Sequence, residues 1–185
     1  MALNRYYYPT KYDSRSQAIS LGVKCTFISH QQKDKESAKK IADYLMEAGI
    51  DVYFDAYDSD LKIHHQSNNA KAVTDAIRKG INNSSHMLVL VSPNTLYSTW
   101  VPFEIGYGFD KTDLYVLCLK GIPKGGLPEY IKTAKIIRDI YDLNNLTGKI
   151  SGLGKESLLK SNLIEGYNSY TNPLYNIMDG LINES

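Results

Sequence analysis

The chain has 185 residues, with 21 Lys and Arg set against 20 Asp and Glu and an aromatic content of 11% that includes 15 tyrosines. That is enough for one domain with a real core, and it is too aromatic for a disordered chain. The balanced charge excludes a global basic field for nucleic acid, and apolar runs such as residues 87–91 are far too short to span a bilayer.

In chain order, residues 1–22 are polar and tyrosine-rich and read as an N-terminal extension. Arg5, Tyr6, Tyr7, Tyr8 and Pro9 supply no apolar stretch of the kind a signal peptide needs. The cluster Tyr6-Tyr7-Tyr8 is expected to pack on the domain or on a neighbouring subunit. Residues 23–29 (VKCTFIS) read as a first buried strand. Asp34 is a candidate N-cap for a helix that buries Ala38, Ile41, Ala42, Leu45 and Ala48, and Gly49 ends it. Residues 50–54 form a second strand, followed by a polar loop over 55–68 with Tyr57, His64 and His65. A second helix over about 70–81 buries Val73, Ala76, Ile77 and Ile81, and Asn82-Asn83-Ser84-Ser85 stops it. Residues 87–91 are the third strand. Ser98 or Thr99 caps the next helix, which carries Glu104 and tolerates Pro102 in its first turn.

Residues 114–119 are a fourth strand, and 134–140 hold a short fifth. Residues 157–164 and 173–182 look helical, with Asn172 a cap for the latter. The domain is therefore placed at 23–141, with 142–185 a mostly helical extension packed on it. Cys25 and Cys118 both fall in strands, as expected of buried, reduced thiols in a cytoplasmic protein.

Strands apolar on both faces, alternating with helices, argue for an α/β fold with a parallel sheet covered on both sides. Five such units fit a flavodoxin-like three-layer sandwich of order 2-1-3-4-5, whose crevice opens at the carboxyl ends of strands 1 and 3. Those ends are Ser29, His30 and Gln31, and Ser92 and Asn94. Asp55 and Tyr57, from the loop after strand 2, fold over the same rim. Trp100 and Glu104 stand four apart and share a helix face. An aromatic face beside one carboxylate suits a flat cationic ring and a sugar, so this set reads as a nucleotide site with Glu104 catalytic and the others substrate-binding. The plainer alternatives are a solvated Glu104, a core Trp100, and Ser29 and Asp34 acting only as caps, the last being preferred for Asp34. His64-His65 has no partner at helical spacing to complete a metal site. The loop over 121–126 lacks the Lys-Ser/Thr of a phosphate-binding loop, and no Ser-His-Asp or Cys-His nucleophile pattern is visible.

The segments CTFISHQQKD (25–34), GIDVYFD (49–55), IRKGINNSSHMLVLVSPNTLYSTW (77–100) and WVPFEIGYG (100–108) together resemble a TIR domain of the Toll/interleukin-1 receptor type. As a stand-alone protein of this size, the chain resembles the bacterial TIR proteins of Thoeris antiphage defence. That resemblance implies a TIR-type fold and cleavage of NAD+ between nicotinamide and ribose, with Glu104 as the catalytic glutamate. It further implies a cyclic or modified ADP-ribose signal for a downstream effector, and self-association into an active multimer or filament. NAD+ is then substrate and no cofactor or metal is required; neither nucleic acid nor membrane is an expected partner. Two rivals stay open: a non-enzymatic TIR scaffold, and an enzyme like the nucleoside deoxyribosyltransferases.

Overall fold

The computed structural model describes residues 1–8, 15–55, 70–98, 100–122, 125–154 and 172–178. Five strands alternate with helices: α1 (Arg15–Ser20), β1 (Cys25–Ser29), α2 (Lys35–Glu47), β2 (Asp51–Tyr53), α3 (Ala70–Asn82), β3 (His86–Val91), α4 (Val101–Phe109), β4 (Asp113–Cys118), β5 (Lys135–Ile137) and α5 (Ile140–Ser151). Short 3-10 turns at Gln32–Asp34 and Thr95–Tyr97 precede α2 and α4. The sheet order is β2-β1-β3-β4-β5, and every pairing is parallel. The doubly wound order expected from the alternation of strands and helices is the order present.

The strand period of two divides the core into two layers. On one face Ile28, Leu88, Leu90 and Leu117 pack with Ile41 and Leu45 of α2 and with Leu143, Leu146 and Ile150 of α5. On the other, Phe27, Met87, Val89 and Val116 pack with Val73, Ile77 and Ile81 of α3 and with Val101 and Ile105 of α4. Central strands therefore need apolar residues at every position, which is why 87–91 is an unbroken apolar run.

Helix α2 ends in a Schellman turn: Ile50 N–H donates to Leu45 C=O at 3.0 Å, and Gly49 N–H to Met46 C=O at 3.0 Å. Gly49 has φ 80°, a conformation that costs glycine little.

The short fifth strand expected within 134–140 is present at Lys135–Ile137, and the Asp139 side chain, accepting from Asp142 N–H at 2.8 Å, starts α5. The boundary expected at 141/142 consequently falls inside α5, whose apolar face is part of the core. Residues 172–178 form successive turns ending in a bridge from Met178 to Leu119. Over 173–178 these turns replace the expected helix; Asn172 Oδ1 accepts from Leu174 N–H at 2.9 Å, and Leu174 and Met178 are buried. The helix expected at 157–164 lies outside the described residues.

The N-terminal segment is tied to the edge of β2. Asn4 forms a parallel bridge with Val52, with Arg5 N–H donating to Val52 C=O at 2.7 Å. The Asn4 amide donates to Phe54 C=O at 2.7 Å and accepts from Phe54 N–H at 3.1 Å. Arg5 pairs with Asp51, its Nε donating to Oδ2 at 2.7 Å.

Both cysteines are reduced and buried, on strands separated by β3. Burial, partly offset by the Ser84 hydroxyl, pushes the Cys25 thiol from its ordinary value of 9.0 up to about 12. A thiol pKa raised on folding gives stability that is complete below the unfolded value and is lost as pH climbs toward the folded one. Stability is therefore expected to decline between about pH 9 and about 12, with a Cys25→Ala variant losing less over that window in denaturant titrations. An equal decline in both proteins would contradict this reading of Cys25. Among the described residues no helix is long and apolar enough to cross a membrane, and no group of three His, Cys, Asp or Glu is placed to hold a metal ion.

Candidate active site

Glu104 lies in the first turn of α4, its N–H donating to Trp100 C=O at 2.9 Å, and it is only 7% exposed. The first turn of a helix favours an acidic side chain through the unpaired N–H groups of that end. Ser29, the last residue of β1, falls on the sheet face covered by α3 and α4 because it is two residues beyond Phe27. From there its hydroxyl donates to Glu104 Oε2. A buried carboxylate is thus held in one orientation by a buried hydroxyl across the β1–α4 contact.

Glu104 lines a cleft that opens to solvent. Its polar lining also includes His30, Gln32 and Asp55; Phe27, Tyr53, Ala76, Ile77 and Tyr6 supply the apolar part. A few convergent polar groups on an apolar bed are the usual composition of small-molecule sites. His30 packs its ring on Phe54 at 5.1 Å. Helix α3 comes so close to the aromatic bed that a Cβ at Gly80 would lie 2.6 Å from Tyr53 Cε1 and 2.7 Å from Phe27 Cε2. Only glycine leaves room there for the two stacked rings, whose centroids are 5.9 Å apart.

The structure gathers Glu104, His30 and Asp55 at the cleft, with Ser29 bonded directly behind the carboxylate. Four other expected site residues are not among the cleft's lining residues. Gln31 turns its side chain back to accept from Lys33 N–H, capping the 3-10 turn, and its neighbour Gln32 faces the cleft instead. Ser92 Oγ and Asn94 Nδ2 both donate to the carboxylate of Asp34, the latter at 2.8 Å. The capping role preferred for Asp34 is accordingly corrected: it stands at the N-cap of α2 but makes no side-chain cap bond, and instead ties the start of α2 to the segment after β3. Trp100 does not share the cleft with Glu104; it sits at the N-cap of α4, half-buried, edge-on to Phe103 at 6.2 Å. Ser98 Oγ accepts from Val101 N–H at 3.2 Å at this helix start. Tyr57, His64, His65 and Thr99 lie outside the described residues.

A family model of the TIR domain matches residues 26–144. The chain belongs to the TIR domain family. Within it, this TIR domain is 34% identical over 79 residues to "NAD(+) hydrolase TirS" of Staphylococcus aureus, a match covering 42% of the chain. It spans about a quarter, 25%, of that relative's length. Among solved structures, a metazoan TIR-STING receptor from C. gigas matches with a TM-score of 0.46 and 20% identity, covering 69% of this chain and 39% of the receptor. The cleft residues Tyr6 and Gln32 are ones the sequence reading misses. Gln32 adjoins a residue it names, whereas Tyr6 precedes the matched segment altogether.

Proposed function

We propose that this TIR domain cleaves NAD+ at the bond between nicotinamide and ribose. The observation that carries the reading is the buried Glu104 carboxylate, oriented by Ser29 and facing a cleft floored by aromatic rings. In NAD+ the nicotinamide nitrogen already carries positive charge. The C1′–N bond breaks with its electron pair passing to that nitrogen, and neutral nicotinamide departs without a proton donor. Ordinary glycosidases need a second carboxyl group to protonate a leaving oxygen; here one suffices. Glu104 stabilises the oxocarbenium-like ribosyl cation as it forms, a preorganised charge aimed at developing charge. Asp55 and His30 are placed to hold ribose hydroxyls, and Ser29 fixes the carboxylate. Gln31, Ser92 and Asn94 support the segments behind the cleft through their bonds to Lys33 and Asp34. Water attacking C1′ gives ADP-ribose and a proton; a nitrogen of the same molecule's adenine attacking C1′ gives a cyclic product.

The finer assignment rests on the resemblance carried by residues 25–34, 49–55 and 77–108. It comprises an antiphage role in the bacterial cytoplasm, a cyclic or modified ADP-ribose signal for a downstream effector, and activity as a multimer. The identity to a protein named as an NAD+ hydrolase supports NAD+ as the molecule that is cleaved.

The test is incubation of the purified protein with NAD+ over a hundred-fold range of protein concentration, with nicotinamide followed by chromatography. The expected result is nicotinamide release, with specific activity rising as the protein associates. Intact NAD+ together with base exchange on free deoxynucleosides would instead identify a deoxyribosyltransferase-like enzyme. Intact NAD+ and inert nucleosides would leave the scaffold reading.

A further inference from the structure

The cleft has a wall that the family match does not contain. Residues 1–8 precede the matched segment, 26–144, yet Tyr6 lines the same cleft as Glu104. Its position is built, not incidental. The bridge from Asn4 to Val52 and the Arg5–Asp51 ion pair lay the segment along β2, whose far end carries Tyr53. The Asn4 side-chain oxygen then accepts from Tyr6 N–H at 3.1 Å as well as from Phe54 N–H at 3.1 Å, turning the chain at that point. The Tyr6 ring meets Tyr53 edge-on, with centroids 5.8 Å apart, and Tyr53 in turn stacks on Phe27. Tyr7 and Tyr8, by contrast, are 41% and 63% exposed and are not among the cleft's lining residues.

We propose that Tyr6 is a specificity-determining residue of this site, forming with Tyr53 an aromatic wall that selects a planar, positively charged nitrogen heterocycle. The inference rests on the NAD+-cleaving reading and names what recognises the leaving half of that substrate. Aromatic faces attract cations and stack on flat rings, and both attractions apply to the nicotinamide of NAD+. Once the bond breaks, the ring is neutral and the cationic part of the attraction is gone, which favours release of nicotinamide. The stacking part is equal in the bound substrate and in the transition state, so its loss acts on KM and does not lower kcat. The N-terminal segment is in this sense part of the substrate pocket.

The experiment is steady-state NAD+ cleavage by the full chain and its variants, each checked by thermal melting. Tyr6→Ala is expected to raise KM for NAD+ by about 3- to 30-fold with kcat changed by less than about twofold. Tyr6→Leu, which keeps apolar contact with Tyr53 but has no ring, should behave like Tyr6→Ala. Tyr6→Phe should restore KM, and the exposed control Tyr8→Ala should leave it unchanged. Asn4→Ala, which releases the segment without touching the cleft lining, should raise KM in the same direction. If Tyr6→Leu binds NAD+ as the parent does, the ring reads nothing and the inference is overturned while the cleavage reading stands. If Tyr6→Ala lowers kcat and melting temperature together at constant KM, its role is structural and the inference again falls. A folded parent protein that leaves NAD+ intact overturns both.

Discussion

Replacing Glu104 by Gln is expected to lower kcat for NAD+ cleavage by about a hundred- to a thousand-fold, equivalent to about 3–4 kcal/mol of lost transition-state stabilisation. Glutamine keeps the size and an acceptor oxygen for the Ser29 hydroxyl, so the β1–α4 contact survives. What disappears is the negative charge facing the ribosyl cation. KM should move little, because the charge matters most when the cation forms. Circular dichroism and thermal melting should match the parent protein. A folded Glu104→Gln variant cleaving NAD+ at the parent rate would remove Glu104 from the chemistry.

Leu143→Ala is expected to have the largest effect on stability, about 2–5 kcal/mol. Leu143 is fully buried between α5 and the sheet face that also receives Ile41 and Leu45. Truncating it leaves a cavity where two helices and the sheet meet. For a domain of this size, about 3 kcal/mol corresponds to a fall in melting temperature of roughly 6–12 °C. A loss below about 1 kcal/mol in denaturant unfolding would mean that α5 is an appendage rather than part of the core.

Helix α5 also shows why part of the fold is hard to read from sequence. Its buried face is not uniformly apolar. Asn144 and Thr147 are buried along with Ile140, Leu143, Leu146 and Ile150. Asn144 accepts from the Tyr44 hydroxyl at 2.6 Å, and Thr147 Oγ1 bonds back to Leu143 C=O at 2.8 Å. Two buried polar positions blur a helical period that is plain in α2, where Ala38, Ile41, Ala42 and Leu45 mark the stripe unaided. The central strands are legible for the opposite reason: both faces of β3 are covered, so the run is apolar throughout.

At the site, Ser29, His30, Asp55 and Glu104 are legible because the parallel topology alone brings strand ends and the start of the third major helix to one rim. The misplaced residues turn on local hydrogen bonds that composition does not reveal. Which of Gln31 and Gln32 faces the cleft depends on which side chain caps the turn before α2. Ser92 and Asn94 are drawn to Asp34, a pairing across the crevice between residues 58 and 60 positions apart. Tyr6 reaches the cleft through contacts between residues far apart in the chain, Asn4 with Val52 and Phe54, and Arg5 with Asp51. No periodicity within 1–22 signals it.

The most direct measurement of the central claim is a crystal structure of the Glu104→Gln protein soaked with NAD+. The nicotinamide riboside half should lie in the cleft, its ribose against residue 104 and Asp55 and its ring against Tyr53 and Tyr6. NAD+ bound elsewhere on the surface, or an empty cleft at saturating millimolar NAD+ in a variant that remains folded, would contradict the account.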